Sequence, residues 1–230
     1  MKILAMTLLA ATSLTSSLFG ASDLAATTKR LGAATETLNE MLQAEDKGVP
    51  RELLEQAQCV VVIPNSKKAG FILGAKYGKG FAACRKAGGM GWTAPAAIRI
   101  EGGSVGFQIG ASETDYILVV RNESGMRKLM QDKFTIGAGA EATAGPIGRD
   151  LSAQTDAQMR AEILSYSRSR GAFAGLTLTG ATLRPDTDDN TALYGHPMMN
   201  KEILSGSMAA PEAAAQFEST LAGYSMRKSK

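Results

Sequence analysis

The feature that most constrains the fold of this chain is a glycine-rich middle section. Residues 70–148 hold sixteen of the 25 glycines in the 230-residue sequence. Apolar residues recur there at every second position, as in Val105, Phe107 and Ile109. A period of two places alternate side chains on opposite faces of a strand. The section therefore favours a curved, mainly antiparallel β-sheet or barrel-like core over a helical bundle.

Two glycine-containing segments in this section are predicted as hairpin turns. Tyr77-Gly78-Lys79 lies between two apolar runs, and Gly102-Gly103 precedes an alternating one. Glycine adopts the backbone angles that tight turns need without a steric cost. These turns would divide the section into many short strands.

Helical patterns flank the sheet at both chain ends. Leucines recur near heptad spacing in residues 23–45, and two short helices are predicted around 201–204 and 211–221. A helix over 157–164 and a strand over 173–183 are also predicted. The β-branched run Cys59–Ile63 is typical of a buried strand. The fold class is therefore α+β, in a single domain over residues 22–230.

The first twenty-one residues have the pattern of a secretory signal peptide. Lys2 precedes an apolar stretch without acidic residues, and small residues cluster at Gly20-Ala21-Ser22. The alternative is an uncleaved membrane anchor, although serines and threonines dilute the apolar run. We expect an exported protein.

The two cysteines, Cys59 and Cys84, have two interpretations. In an exported protein a pair favours a disulfide, and otherwise they are small buried apolar residues. The single histidine, His196, excludes sites built from several histidines. No metal or cofactor is predicted, and a net charge of +3 does not indicate a nucleic-acid binder.

The basic residues of the glycine-rich section indicate a surface for anionic headgroups. Lysine and arginine beside apolar tips suit acidic phospholipids, whereas lysines on edge strands also simply discourage aggregation. Trp92 would lie at an apolar rim or, more commonly for its type, under the sheet. The candidate headgroup ligands are Lys67, Lys68, Lys76, Lys79, Arg85 and Lys86, and the rim candidates are Phe71, Tyr77, Phe81 and Trp92.

The amino-terminal helix has the same two interpretations. Lys29 and Arg30 beside its leucines would suit a membrane surface. The acidic residues that follow, Glu36 and Glu40 among them, favour a helix packed on the domain.

A serine hydrolase is the least favoured function. Gly102-Gly103-Ser104-Val105-Gly106 matches the nucleophile-elbow string, and aspartates and then His196 follow in the order of α/β-hydrolases. That chemistry needs the serine on a turn between a strand and a helix. The residues after Ser104 alternate as a strand does, so we expect no enzyme.

Several motifs together resemble the SYLF domain, also described as the actin-regulator or Las-binding family. The resemblance extends from about Lys29 to Ala222 and is specific because its motifs occur in order. They are Trp92–Ala96, Gly106–Gly110, Asp115–Val119, Ala144–Arg149, Ile163–Gly175, Asn190–Gly195 and Glu202–Leu204.

The resemblance implies lipid binding without catalysis. Eukaryotic members bind phosphoinositides, and some bundle actin in the cytoplasm; bacterial members resemble exported envelope proteins that bind phospholipid. Arg168 and Arg170 would share one face of a strand and suit phosphate oxygens, or would instead pair with carboxylates. We therefore expect a phospholipid-binding protein of the bacterial envelope, in the periplasm or at the inner face of the outer membrane. The alternative is a structural protein–protein module of the envelope.

Overall fold

The computed structural model describes residues 9–44, 48–88, 91–138, 141–146, 158, 160–169, 172–175 and 178–225. Side chains are described in these ranges except at 9–22, 69–74, 104–111, 173 and 175. The helices are α1 (Leu9–Gln43), α2 (Arg51–Gln56), α3 (Glu123–Leu129), α4 (Thr187–Tyr194), α5 (Asn200–Leu204) and α6 (Ala215–Tyr224), with a 3-10 turn at Glu212–Ala214. The strands are β1 (Cys59–Cys84), β2 (Ala96–Val120), β3 (Phe134–Thr135), β4 (Ala142–Ala144), β5 (Ile163–Ser169), β6 (Ala172–Gly175) and β7 (Thr182–Pro185).

Strands β1 and β2 form one long antiparallel ribbon that folds back on itself. They pair from Cys59 opposite Val120 to Ala82 opposite Ala96, with two shifts of register on the way. Although β1 has 26 residues, the Cα atoms at its two ends, in Cys59 and Cys84, are 3.9 Å apart. The two halves of the ribbon therefore meet. The predicted turns at 77–79 and 102–103 are wrong, because both segments continue as strand.

The ribbon is the centre of a seven-stranded sheet in the described residues. One half of β2 pairs with β7 and the other half with β5, both antiparallel. The pairing of β4 with β5 is parallel. This curled half-barrel with helices at both ends confirms the predicted α+β class.

Both faces of the folded ribbon are buried, in two separate clusters. Val60 and Val62 pack with α1, α2 and α6, whereas Val61 and Ile63 pack with α3, α5 and β7. A strand covered on both faces has a continuous apolar sequence instead of an alternating one. This explains the β-branched run at the start of β1.

The amino-terminal helix packs along one stripe of its surface. Leu31, Ala34, Leu38 and Met41 are buried against the ribbon, as the heptad-like spacing predicts, whereas Leu24 at the start of that pattern is 42% exposed. Among the described residues, no helix is long and apolar enough to cross a membrane.

Two local predictions near the end of the sheet need correction. Ile163 and Leu164 begin β5, so the predicted helix over 157–164 cannot extend to them. The predicted strand over 173–183 is two strands, β6 and β7, with a turn at 179–180 between them. β5 and β7 both pair with β2, and this pairing decides their conformation. The local sequence pattern does not show which strand a segment will pair with.

The ends of β1 are joined by a disulfide between Cys59 and Cys84, which are both fully buried. We expect the double variant Cys59→Ala/Cys84→Ala to lose about 3 kcal/mol of unfolding free energy, because its unfolded chain is no longer constrained. Urea unfolding measures this loss. Wild-type protein refolded in reductant should match the variant, and an oxidised wild type no more stable than the variant would contradict the prediction.

Candidate functional site

A groove of about 510 Å³ runs between α1 and the outer surface of β1. Four of its lining side chains are cationic: Lys29 and Arg30 from the helix, and Lys67 and Lys79 from the strand. None of the described residues that line it is acidic. Positive charge is therefore concentrated along this one concave surface.

The helical wall of the groove is a stripe with the period of an α-helix. Ala26, Lys29, Arg30 and Ala33 are three or four residues apart, so they share one face of α1. The two alanines leave room between helix and strand. The two cations extend over that space.

The strand wall depends on the folding back of β1. Tyr77 and Lys79 are two residues apart and face the groove together, and Lys67 joins them from the other half of the ribbon. A Cβ at Gly78 would lie 2.7 Å from Ser66 Oγ, so glycine allows the halves to approach here. Tyr77 is 47% exposed and offers an aromatic surface at the groove.

Two carboxylates from α4 lie behind the groove and hold its inner cations. Lys79 Nζ is 2.8 Å from Asp186 Oδ2 and 3.3 Å from Asp189 Oδ1. Arg30 pairs with Asp189 as well. Burial alone lowers the pKa of Lys79, but its hydrogen bond to Asp186 and the two negative charges outweigh this and raise the pKa. Lys79 is therefore fully charged at neutral pH.

A bulge in β1 forms one end of the groove. Asn65 has a φ of 49°, and its backbone N–H donates to Asp115 Oδ1 at 2.7 Å. Arg168 donates from Nε and Nη2 to Asp115 Oδ2 at 2.9 and 2.6 Å and also pairs with Glu40 of α1. Arg168 thus bridges carboxylates, the second of its two predicted roles, and positions the bulge instead of facing a ligand.

The remaining lysines of the basic section do not join this groove. Lys68 and Lys76 are close to each other, and Lys76 Nζ lies 5.1 Å from the centre of the Tyr116 ring, which belongs to the other core cluster. Burial and the charge of Lys68 lower the pKa of Lys76. Lys86 is exposed near α3 and α5. The structure therefore divides the basic section among separate surfaces.

Three predicted site residues are structural. Phe81 is fully buried against Phe217, and Trp92 is 4% exposed and donates to Ser225 Oγ at 2.8 Å, so neither forms an exposed rim. Arg85 is 8% exposed and is held by backbone carbonyls under the carboxyl end of α2. A buried guanidinium with these acceptors is not available to a headgroup.

Two predicted residues lie outside what the structure describes: Arg170, and the side chain of Phe71.

Ser104 lies within β2 and His196 is exposed after α4, so the serine is not on the turn that a hydrolase needs. Among the described residues, no cluster of three or more histidine, cysteine, aspartate or glutamate side chains could hold a metal.

The sequence predicts that Lys29 and Arg30 would suit a membrane surface, but it does not predict them as ligands of the same site as Lys67 and Lys79. The signal was available, since both lie on one helical stripe with Ala26 and Ala33. What the sequence lacks is any sign that this stripe faces Lys67 and Lys79.

The described residues form a mixed α+β domain with a cationic groove. The chain belongs to the Ysc84 family, described as Las17-binding protein actin regulators, whose model matches residues 101–224. This confirms the family that the motifs indicated.

Curated relatives support the same family. The chain is 31% identical over 172 residues to Protein YSC84 of Saccharomyces cerevisiae, covering 74% of this chain and 36% of the relative. It is 32% identical over 181 residues to the SH3 domain-containing YSC84-like protein 1 of Xenopus laevis, covering 78% and 53%. LAS seventeen-binding protein 3 of Saccharomyces cerevisiae is 30% identical over 171 residues, covering 73% and 37%. The chain thus spans between about a third and a half of the length of these relatives.

Proposed function

We propose that this protein binds anionic phospholipid, without catalysis, in the groove between α1 and β1. The observation that supports this most directly is the convergence of four cations on one concave surface with no acidic lining residue among those described. The resemblance to lipid-binding SYLF domains points to the same ligand class.

The groove offers the two kinds of contact that an amphiphile needs. Lys29 and Lys67 are exposed, and the ion pair that the described residues show for Lys67, with Glu113, is long at 4.0 Å. Their ammonium groups would meet the phosphate, at about 1 kcal/mol per charge near an acidic surface. Tyr77 and the alanines of α1 provide apolar surface for the glycerol and the first acyl carbons.

We expect the double variant Lys29→Gln/Lys67→Gln to bind anionic vesicles about 30-fold more weakly, because two such charges are lost. Co-sedimentation with vesicles of phosphatidylcholine, with and without phosphatidylglycerol, measures the change at low salt. Wild-type protein should bind only the vesicles that contain phosphatidylglycerol.

The matched control is Lys133→Gln/Lys201→Gln, which removes two exposed lysines near the core cluster that contains Val61 and Ile63. It should keep most of the binding. Equal loss in both double variants would mean that net charge alone attracts the protein. Wild-type protein that binds neither vesicle would refute the proposed function.

We propose further that the protein is exported to the envelope of a bacterium, in the periplasm or at the inner face of the outer membrane. The signal-peptide pattern of residues 1–21 supports export, and a buried disulfide is typical of an oxidising compartment. Removal of 1–21 would spare Thr27 and the rest of the α1 face that packs on the domain. Fractionation of producing cells, with the amino terminus of the mature protein sequenced, tests this.

The relatives favour a second candidate function, a protein–protein module. One of them, LAS seventeen-binding protein 3, is named for binding another protein, and the family carries a similar description. A stoichiometric partner recovered with delipidated protein, and retained by Lys29→Gln/Lys67→Gln, would favour this function over lipid binding.

A further inference from the structure

The inner end of the groove already holds an anion, the side chain of Asp189. Arg30 and Lys79 pair with this carboxylate, and Thr27 Oγ donates to its Oδ1 at 3.2 Å. Two cations and a hydroxyl are a typical set of donors for a phosphate. Here α4 places one of the protein's own carboxylates among them.

Asp186 and Asp189 have different relations to their helix. Asp186 accepts from the backbone N–H of Asp189 at 3.2 Å and so caps the amino terminus of α4. The side-chain contacts of Asp189 run instead to α1 and β1, the two walls of the groove. Asp189 is therefore the carboxylate that contacts both walls of the groove, whereas the contact of Asp186 to the groove is with Lys79 of β1.

We propose that the groove accommodates one lipid phosphate, and that Asp189 prevents further phosphates on a headgroup from adding much affinity. This rests on the proposed lipid binding and adds the class of headgroup. The two carboxylates neutralise two of the four cations, which leaves a charge of +2, mainly at Lys29 and Lys67. One phosphate satisfies these outer lysines. Further phosphates would have to lie against Asp189, and like charges at close range oppose binding.

The test compares two short-chain lipids below their micellar concentrations, by calorimetry: dihexanoyl phosphatidylglycerol and dihexanoyl phosphatidylinositol 4,5-bisphosphate. Three extra negative charges would favour the bisphosphate by more than about 100-fold if all four cations were free. For the wild type we expect affinities within about tenfold of each other. In Asp189→Asn the preference for the bisphosphate should rise by about fivefold, the equivalent of one charge.

The matched control is Asp188→Asn, which removes the neighbouring, exposed carboxylate of the same helix. Its preference should stay at the wild-type value. Asparagine keeps the shape of aspartate, and circular dichroism checks the fold. If Asp189→Asn does not fold, the wild-type comparison still decides, because a wild type that prefers the bisphosphate by more than about tenfold would contradict the proposal.

The outcomes separate the two proposals. Equal shifts in Asp189→Asn and Asp188→Asn, or a wild type that prefers the bisphosphate by more than about tenfold, would overturn the role of Asp189 and leave lipid binding intact. Wild-type protein that binds neither short-chain lipid nor anionic vesicles would overturn both.

Discussion

Replacing Arg85 with methionine should lower the free energy of unfolding by about 3 to 5 kcal/mol. The guanidinium is buried and donates to Leu54 O at 3.0 Å, Ala57 O at 3.3 Å and Ser225 O at 2.8 Å. Its carbon lies 4.0 Å from the centre of the Trp92 ring. Methionine would fill the space but remove the charged donor from each of these buried carbonyl oxygens, at a cost of about 1 kcal/mol or more for each hydrogen bond. Urea unfolding measures the loss.

Two neighbouring changes test the cause. Lys86→Met removes an exposed charge at the next position and should change stability by less than about 0.5 kcal/mol. Arg85→Lys keeps the charge but not the fork of donors, so it should fall between wild type and methionine. If Arg85→Met unfolds at the same urea concentration as Lys86→Met, the hydrogen bonds of the arginine to α2 and to Ser225 do not stabilise the fold.

The buried position of Arg85 could not be predicted from the sequence alone. Locally it is one of two adjacent basic residues in a glycine-rich section, and that pattern indicates a cationic surface. Its acceptor Ser225 is 140 residues further along the chain. Spacing reports which residues share a face of one element, but not which element covers that face.

The sequence predicts strands in the basic section, but it does not show which surface of the protein each basic side chain joins. In the structure Tyr77 and Lys79 lie on one face of β1 and Lys76 on the other, as the period of two in a strand requires. The predicted turn at 77–79 broke this alternation, because glycine is as typical of close backbone approach as it is of turns. Only the fold-back of β1 brings Lys67 to the same groove.

The sequence could not decide whether the two cysteines form a disulfide, for the same reason. A disulfide needs Cα atoms within about 7 Å, and a 26-residue strand, if straight, would hold its ends far apart. The folded ribbon joins those ends. The α+β class and the helical ends were predictable, because they depend on local periodicity.

The second large effect is expected at Gly80, where the two halves of the ribbon meet. Gly80→Ala should destabilise the protein by about 3 kcal/mol or more. A Cβ there would overlap the carbonyl oxygen of Val62 and lie 2.7 Å from Ile63 Cα. Both are backbone atoms of a buried strand, so neither can move aside as a flexible side chain would. The halves would have to separate, with loss of the packing between them.

Gly32→Ala is the matched control, since it makes the same chemical change on the surface of α1. A Cβ at Gly32 meets nothing within 4 Å, and alanine is favoured over glycine in a helix by about 1 kcal/mol. Urea unfolding should therefore show Gly32→Ala slightly more stable than wild type and Gly80→Ala far less stable. Because Tyr77 and Lys79 lie just before Gly80, a folded Gly80→Ala protein should also bind anionic vesicles more weakly. Wild-type stability in Gly80→Ala would mean that the two halves of β1 are not in contact, and the groove that depends on that contact would not exist.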